Sequence, residues 1–115
     1  MRRGEIRLVD LDPTRGSEAD KRRPAVIVSN DGANATAERL GRGVVTVVPV
    51  TSNVARVHPF QVLLDAATTG LDRDATAQAE QVRSVDVERV GVRMGVLDRH
   101  LVAELDEALR LHLEL

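Results

Sequence analysis

The stretch DPTRGSEADKRRPAVIVS, residues 12–29, indicates both how the chain folds and where its functional residues lie. It begins with a turn signal and a charged loop. It ends in a β-branched run that predicts a strand buried on both faces. Pro24 stands where that run begins, which suits the first residue of a strand. We therefore expect Lys21, Arg22 and Arg23 to be held at a fixed point, where adjacent cationic side chains can bind a phosphate.

Length and composition limit the possible classes of protein. A chain of 115 residues is expected to form one domain, residues 1–115, with a single modest core. No apolar run approaches the ~20 residues that a membrane span needs, and the polar N-terminus lacks the apolar stretch of a signal peptide. The absence of cysteine excludes disulfides and thiolate metal sites. We expect a cytoplasmic protein with no membrane partner.

Charge is distributed unevenly along the chain. The net charge of −2 argues against a polycation that binds nucleic acid by bulk attraction. Residues 1–60 nevertheless hold ten Lys or Arg against seven Asp or Glu, whereas residues 61–115 hold six against eleven. This asymmetry suggests one face for an anion and another kept clear of it. Because such asymmetry also arises by chance, it does not decide the function alone.

The remaining pattern predicts short strands and one good helix. The predicted strands cover residues 5–11, 24–29, 43–51, 59–65, 76–86 and 90–97. Residues 30–41 are expected to form a loop with one helical turn, and residues 68–74 a turn. Strands separated by turns predict mainly antiparallel pairing in a small, strongly curved sheet or barrel.

The tail, residues 98–115, changes to a helical period, with its apolar residues in one stripe. Asp98 is a candidate N-cap, and Asp106 is expected to pair with Arg110 at i,i+4. The tail is therefore predicted to be a terminal helix that packs on the sheet.

Pro49 interrupts the most strand-like stretch of the chain. Proline inside a strand is tolerated mainly at edge positions and at β-bulges. Such a bulge would re-aim Thr51, Ser52 and Asn53, three small hydrogen-bonding side chains at the exit of the strand. The alternative is that these three residues only cap a turn.

Several common kinds of catalytic site find no support in the sequence. His100 and His112 are twelve positions apart on the predicted helix, ~18 Å along its axis, so they cannot form a ribonuclease dyad. His58 stands alone in a loop, where it is expected to be solvated or capping. Phe60 is the only aromatic residue, which leaves no aromatic platform for base stacking. No spacing of metal ligands is present, and we expect no metal site.

The segment DLDPTRGSEADKRRPAVIVSN, residues 10–30, resembles the first two strands of the MazF family of toxin ribonucleases, the mRNA interferases of toxin–antitoxin pairs. The likeness continues through VVTVVPVTSN, HPFQVLL and AEQVRSVD to the helix LDEALRLHLEL, so it covers nearly the whole chain. It implies a mainly β fold with a C-terminal helix, an SH3-like curved antiparallel sheet or barrel of the MazF/CcdB type. It also implies a homodimer that needs no cofactor and cleaves single-stranded RNA at a short sequence without metal. The implied products are a 2′,3′-cyclic phosphate and a 5′-hydroxyl.

The resemblance assigns catalytic roles to three residues by motif position. Arg23 matches the arginine that acts as catalytic acid–base or phosphate-binding group, and Thr51 matches the residue that contacts the scissile phosphate. Glu18 matches the glutamate of the GSE motif, whose catalytic role varies across the family. Because the pKa of arginine lies far above neutral, we expect Arg23 to stabilise charge first and to act as general acid second. The general base that accepts the proton of the 2′-hydroxyl is not assigned: Glu18, water and groups of the substrate are the candidates.

The residues that select the RNA sequence are expected to lie in three loops, residues 15–22, 52–60 and 78–83. Gln, Asn and Arg side chains in such loops can bind the edges of splayed bases. The candidate RNA-binding residues are Arg15, Ser17, Lys21, Arg22, Ser52, Asn53, Arg56, Phe60, Gln78, Gln81 and Arg83. The alternative is that most of them are ordinary surface residues, with Gln81 and Arg83 at a dimer seam.

The expected protein partner is a MazE-like antitoxin whose disordered, acidic C-terminal segment folds on the basic groove. Two other functions stay open. One is a gyrase-poisoning toxin of the CcdB type, which binds through its C-terminal helix region, and the other is a non-catalytic SH3-like binding module. The joint presence of Glu18, Arg23 and Thr51 argues against the gyrase poison.

Overall fold

A computed structural model of the chain describes residues 1–11 and 22–115. The strands are β1 Glu5–Asp10, β2 Arg22–Ile27, β3 Val44–Thr51, β4 Gln61–Leu64, β5 Ala75–Gln78, β6 Arg83–Asp86 and β7 Val90–Val96. The helices are α1 Asp31–Leu40, α2 Ala66–Thr69 and α3 Arg99–Leu113, with 3₁₀ turns at Ala79–Gln81 and Val87–Arg89. All strand pairs are antiparallel, in the order β4-β5-β3-β2-β1-β7, and β6 pairs with β3. The predicted fold class, mainly β and antiparallel with a C-terminal helix, is confirmed.

The centre of the sheet is β3, which pairs with three other strands. The β2–β3 ladder contains no bulge: its register is unbroken and ends at the pair of Pro49 with Ala25. The interruption falls on the other edge of β3, where pairing with β6 ends at Val47 and pairing with β5 begins at Val50. A proline suits that gap because it has no N–H to donate. The strand therefore continues through Pro49 and carries Thr51 to the end of the sheet.

Both faces of the central strands are buried, as predicted for the β-branched run of β2. Val26 belongs to the core between the sheet and α3, while Ala25 and Ile27 belong to a second core that includes Ala37 of α1. Burying a Val or Ile side chain completely contributes about 1.5–3 kcal/mol relative to leaving it exposed. Packing on both faces fixes β2, and with it the cationic residues at its start.

Residues 30–41 form a full helix, α1, rather than the predicted loop with one turn. Asn30 caps its N-terminus by accepting a hydrogen bond from the first turn, and Gly41 ends it at a φ of 66°. Asn34 is fully buried, and its amide nitrogen donates to the carbonyl oxygen of Ser29 at 2.8 Å. Tertiary hydrogen bonding thus stabilises a helix whose sequence includes a glycine and a buried asparagine, both weak helix formers.

The terminal helix α3 begins as predicted, because the Asp98 side chain accepts a hydrogen bond from its first turn. The predicted pair between Asp106 and Arg110 is wrong. Asp106 instead binds Arg3 at 2.7 Å, and Arg110 binds Glu107 at 2.6 Å. A partner from the start of the chain therefore replaces the local one. Among the described helices, none has the length and apolar character to cross a membrane.

The first four residues, here called the N-terminal strap, hold several elements together. Arg3 donates from Nε to the carbonyl oxygen of Val28 at 2.8 Å and from Nη2 to Asp106 of α3 at 2.7 Å. Its backbone N–H donates to the side chain of Asp31 at the start of α1, at 2.7 Å. The terminal amine of Met1 binds Glu38 of the same helix at 2.9 Å. The strap therefore joins β2, α1 and α3 through charged hydrogen bonds.

The predicted strand 76–86 is divided by the 3₁₀ turn Ala79–Gln81 into β5 and β6. Both halves pair with β3 on the same edge, on either side of Pro49. The segment predicted as one strand therefore forms two strands, which pair with different parts of β3. As a consequence, β5 lies beside the end of β3, where the candidate site is found.

Candidate functional site

An open cavity of about 350 Å³ lies at the end of the sheet where β2 begins and β3 ends. The residues that line it are Arg22, Arg23, Pro24, Val50, Thr51, Ser52, Leu71, Asp72, Arg73, Ala75 and Met94. Its walls are formed by three separate segments of the chain and by β7. Cationic, hydroxyl and apolar side chains thus meet in one concave surface, which is the usual form of a ligand site.

The cavity brings together Arg23 and Thr51, the two described residues with predicted catalytic roles. The β2–β3 ladder ends where Ala25 pairs with Pro49, and Arg23 and Thr51 each lie two residues beyond this last pair, at the same end of the sheet. Both residues are half-buried and are supplied by strands that are packed on both faces. A guanidinium and a hydroxyl on such a support can bind one anion without a large ordering cost.

The hydroxyl of Thr51 is oriented by the turn that follows it. Its oxygen accepts a hydrogen bond from the backbone N–H of Asn53 at 3.2 Å, so the hydroxyl hydrogen can still be donated elsewhere. The side chain of Asn53 in turn accepts from the N–H of Ala55 at 3.0 Å. Thr51 and Asn53 therefore both cap this turn, and Thr51 and Ser52 also line the cavity.

One wall of the cavity, residues 71–74, was read in the sequence only as a turn. Its backbone is held in place: Leu71 is buried, and the side chain of Asp74 accepts from the N–H of Ala66 at 2.8 Å. The last residue of α2, Thr69, packs closely on β7 just before this wall, because a Cβ at Gly95 would overlap the carbonyl oxygen of Thr69. The wall is thus fixed to α2 and to β7 while its side chains line the cavity.

The register of β3 with β5 explains why this wall reaches the site. Thr51 pairs with Thr76, so the residues just before β5 must lie beside the residues just after β3. Sequence analysis missed Asp72 and Arg73 because the pairing of β3 with β5 could not be read from a single pattern, and it missed Met94, which β7 supplies. Had that pairing been known, the turn before β5 would have been placed at the site.

The predicted RNA-binding residues divide by position. Arg22 and Ser52 line the cavity beside Arg23 and Thr51. Other predicted residues lie elsewhere, in the long loop after β3, on β5, in the first 3₁₀ turn and on β6: Arg56, Phe60, Gln78, Gln81 and Arg83. The predictions for Arg15, Ser17, Glu18 and Lys21 fall outside the described residues.

Two of these outlying residues have identifiable side-chain contacts, and a third has a buried polar atom. Phe60 stacks on His58 with 5.1 Å between ring centroids and 2° between planes, a contact that the sequence did not predict. Arg83 donates from Nη1 to the carbonyl oxygen of Leu11 at 3.3 Å. The Oε1 atom of Gln78 is buried without a hydrogen-bond partner among the described residues. None of these three side chains lines the cavity.

Among the residues that the structure describes, two carboxyl groups have a clearly shifted pKa, and neither lines the cavity. Burial raises the pKa of Glu5, but the hydrogen bond and charge of Arg7 outweigh it, so the pKa lies below its ordinary value. The pKa of Asp65 is lowered chiefly by the hydroxyl of Thr68, which donates to it at 2.8 Å. Asp65 is the N-cap of α2 and so supports the cavity wall. Within the described ranges, no three His, Asp or Glu side chains converge as a metal-binding group.

Comparison with known proteins is consistent with this fold across the whole chain. The sequence pattern of the PemK-like, MazF-like toxins of type II toxin–antitoxin systems matches residues 2–113. The endoribonuclease MazF9 of Mycobacterium tuberculosis (strain ATCC 25618 / H37Rv) is 67% identical over 100% of this chain and 98% of its own length. The crystal structure of MazF (Form-I) from Deinococcus radiodurans aligns with a TM-score of 0.82 at 26% identity, covering 100% of this chain and 97% of that one.

A second structure from the same organism, the MazE-MazF complex (Form-III), aligns with a TM-score of 0.76 at 26% identity, covering 100% of this chain and 97% of that one. These matches agree with the resemblance seen in the segments 10–30, 44–53 and 79–86. The chain therefore belongs to the PemK-like, MazF-like toxin family of type II toxin–antitoxin systems.

Proposed function

We propose that this protein is the toxin of a toxin–antitoxin pair and acts in the cytoplasm as an endoribonuclease. Its substrate is single-stranded RNA, mRNA above all, which it cleaves at a short sequence without a metal ion. The observation that carries the proposal is the meeting of Arg23 and Thr51 in one cavity, with Arg22 and Ser52 beside them. The name of the 67% identical relative, an endoribonuclease, supports the same activity.

The proposed reaction is an internal transesterification. The ribose 2′-oxygen attacks the adjacent phosphorus while its proton passes to a base, and the bond from phosphorus to the 5′-oxygen breaks. The leaving oxygen takes up a proton, which gives a 2′,3′-cyclic phosphate and a 5′-hydroxyl. The base is Glu18, water or a substrate group.

Arg23 and Thr51 act on the charge that builds up in this reaction. The guanidinium of Arg23 binds the non-bridging oxygens of the pentacoordinate phosphorus, and the hydroxyl of Thr51 donates to one of them. A charged donor held by a packed strand needs little reorganisation as the charge develops. Arg23 contributes as general acid only secondarily, since a guanidinium rarely gives up its proton.

Sequence choice belongs to the residues around the scissile position. Ser52 and Arg22 flank the reacting phosphate, while Asn53 and Arg56 follow along the exposed loop after β3. Amide and guanidinium groups can read the edges of splayed bases. The remaining proposed RNA-binding residues are Arg15, Ser17, Lys21, Phe60, Gln78, Gln81 and Arg83.

We also propose that the protein is a homodimer with a MazE-like antitoxin as its partner. The last strand in the described order, β7, exposes Val92, Met94 and Val96, and Val92 is 67% exposed. An apolar stripe on a strand at the end of a sheet suits a self-association surface. The MazE-MazF complex among the aligned structures supports an antitoxin partner. Acidic antitoxin side chains would occupy the positions of RNA phosphates and block the site.

The test is incubation of the purified protein with a long single-stranded RNA in EDTA, with the ends mapped by primer extension. Wild type is expected to cut at a recurring short sequence. Arg23→Ala is expected to lose cleavage, at least 10²–10³-fold, because removing one preorganised donor to a developing oxyanion has effects of about this size. Its thermal unfolding should match that of wild type.

Arg42→Ala is the matched control, because Arg42 is an exposed arginine on the turn between α1 and β3. It should cut at the same sites and rate as wild type. Full activity of Arg23→Ala would remove Arg23 from the mechanism. Intact RNA after incubation with folded, antitoxin-free wild type would overturn the proposal and favour the binding-module or gyrase-poison alternative.

A further inference from the structure

We propose that Arg73 binds an RNA phosphate next to the scissile one, so that the substrate backbone is gripped from both walls of the cavity. The proposal deepens the ribonuclease function and rests on it for the identity of the ligand. Sequence analysis gave Arg73 no role, because it stands in a segment read only as a turn.

The first argument is position. Arg73 lines the cavity together with Arg22 and Arg23, but it comes from the segment before β5, whereas they come from β2. The pairing of Thr51 with Thr76 places this segment beside the end of β3. A single anionic strand that crosses the cavity at Thr51 therefore meets cations on both sides.

The second argument is that the charge of Arg73 is weakly compensated. Its side chain is 71% exposed, and its one ion pair among the described residues is with the adjacent Asp72, at 4.0 Å. Asp72 itself is 86% exposed. By contrast, Arg3 and Arg110 make charged hydrogen bonds at 2.6–2.7 Å. A solvated pair at this distance stabilises the fold very little, so Arg73 can exchange it for a phosphate.

The third argument is that the backbone under Arg73 is fixed. Gly70 ends α2 at a φ of 86°, Leu71 is buried, and Asp74 accepts the N–H of Ala66. A long side chain on a fixed backbone loses less freedom on binding than one on a mobile loop. This preorganisation separates Arg73 from the many exposed arginines that only solubilise a surface.

The test measures binding of a mixed-sequence, fully 2′-O-methylated single-stranded RNA, which cannot be cut through its 2′-oxygens. Each phosphate contact to single-stranded nucleic acid contributes about 0.7 to the slope of log K against log salt. Arg73→Gln should therefore reduce the slope by about 0.7 and weaken binding about fourfold at 0.15 M salt. Arg73→Lys should keep the wild-type slope, because it keeps the charge. Arg42→Gln, a charge-matched change on the distant α1–β3 turn, should leave the slope unchanged.

Three results would overturn the proposal. One is a wild-type slope for Arg73→Gln. Another is an altered cleavage sequence with an unchanged slope, which would make Arg73 a base-reading residue. The third is that Arg73→Gln weakens binding to a poly-glutamate peptide but leaves RNA binding unchanged. This result would assign Arg73 to an acidic protein partner.

The probe also separates this proposal from the ribonuclease function. If wild type binds the methylated RNA and shows the expected Arg73 effect but never cuts ordinary RNA, the function is wrong and the phosphate contact stands. If ordinary RNA is cut and Arg73→Gln behaves like Arg42→Gln, the function stands and the contact is wrong. Thermal unfolding of each variant confirms that it is folded.

Discussion

The N-terminal strap and the cavity use the same side chain in opposite ways. In the strap, Arg3 is half-buried and binds the carbonyl oxygen of Val28 and the carboxylate of Asp106 at 2.8 and 2.7 Å. In the cavity, Arg22 is exposed, and the one ion pair of Arg73 among the described residues is with its neighbour at 4.0 Å. In the strap, the charged side chain of Arg3 is bound to other parts of the fold. In the cavity, the arginine side chains line an open volume.

The difference teaches that the arginines of this chain cannot be ranked by residue type or charge alone. A cation with several short hydrogen bonds stabilises the native state, and its removal leaves buried partners unsatisfied. A cation at an open cavity adds little to stability and can bind a ligand. Substitutions in the strap should therefore change the free energy of unfolding, and substitutions in the cavity should change cleavage or binding.

The contrast between the strap and the cavity can be tested by substitution, and the largest effect is expected for Thr51→Val. This change keeps the shape of the side chain and removes its hydroxyl. Loss of one donor to the developing phosphorane charge should lower the cleavage rate about 10²–10³-fold, which raises the activation barrier by about 2.7–4 kcal/mol. Single-turnover kinetics on an RNA containing the cleavage site measures this. Thr46→Val, on the same strand away from the cavity, is the control and should retain wild-type kinetics. Equal rates for both variants would contradict the role of Thr51.

A smaller effect is expected for Arg3→Ala, and it should appear in stability. Loss of its charged hydrogen bonds should lower the free energy of unfolding by about 1–2 kcal/mol, with a coupling to Asp106 of about 1 kcal/mol, since both side chains are one-third exposed. Urea denaturation of the two single variants and the double variant measures the coupling. Cleavage per folded molecule should stay at the wild-type rate. A large loss of kcat without destabilisation would break the contrast.

The smallest effect is the pH dependence of stability that comes from the partly buried ion pair of Glu5 and Arg7. The two side chains are 3.0 Å apart. The pKa of Glu5 lies below its ordinary value of 4.5, so its contribution to stability is complete above that value. It is lost as the pH falls through the lowered pKa, because the unfolded chain then binds the proton first. The difference in unfolding free energy between wild type and Glu5→Gln should therefore shrink as the pH falls from neutral to well below 4.5. A difference that stays constant with pH would contradict this account.

Much of the fold could be predicted because its signals are local. The β-branched runs of β2 and β3 are long, and the apolar stripe of α3 follows directly after a clear N-cap at Asp98. The helix α1 was missed although its caps, Asn30 and Gly41, were readable, because its interior includes a glycine and the buried Asn34. The hydrogen bonds that compensate for that composition come from Ser29 outside the helix.

The residues of the candidate site could be predicted where they belong to a sequence motif. They could not be predicted where only the pairing of distant strands brings them to the cavity. Arg23 and Thr51 stand in segments that carry the family resemblance, and the structure brings them to one cavity. Arg73 reaches the same cavity only because β5 pairs with the end of β3, a contact between distant parts of the chain. The Asp106 partner was likewise wrong because Arg3, 103 positions away, competes successfully with Arg110. Local spacing carries no information about such partners.

The close packing of Gly95 on Thr69 has a consequence for genetic screens. Toxin variants that lose toxicity are readily selected as surviving colonies, and their positions are usually interpreted as a map of the active site. Any side chain at position 95 must displace the carbonyl oxygen of Thr69, and the wall that carries Arg73 follows directly after it in the chain. Survivors at this position would therefore cluster with those at Arg23 and Thr51, although a glycine on an edge strand supplies no chemistry. Purified variants, compared for both unfolding and cleavage, are needed before such a map is read as a list of catalytic groups.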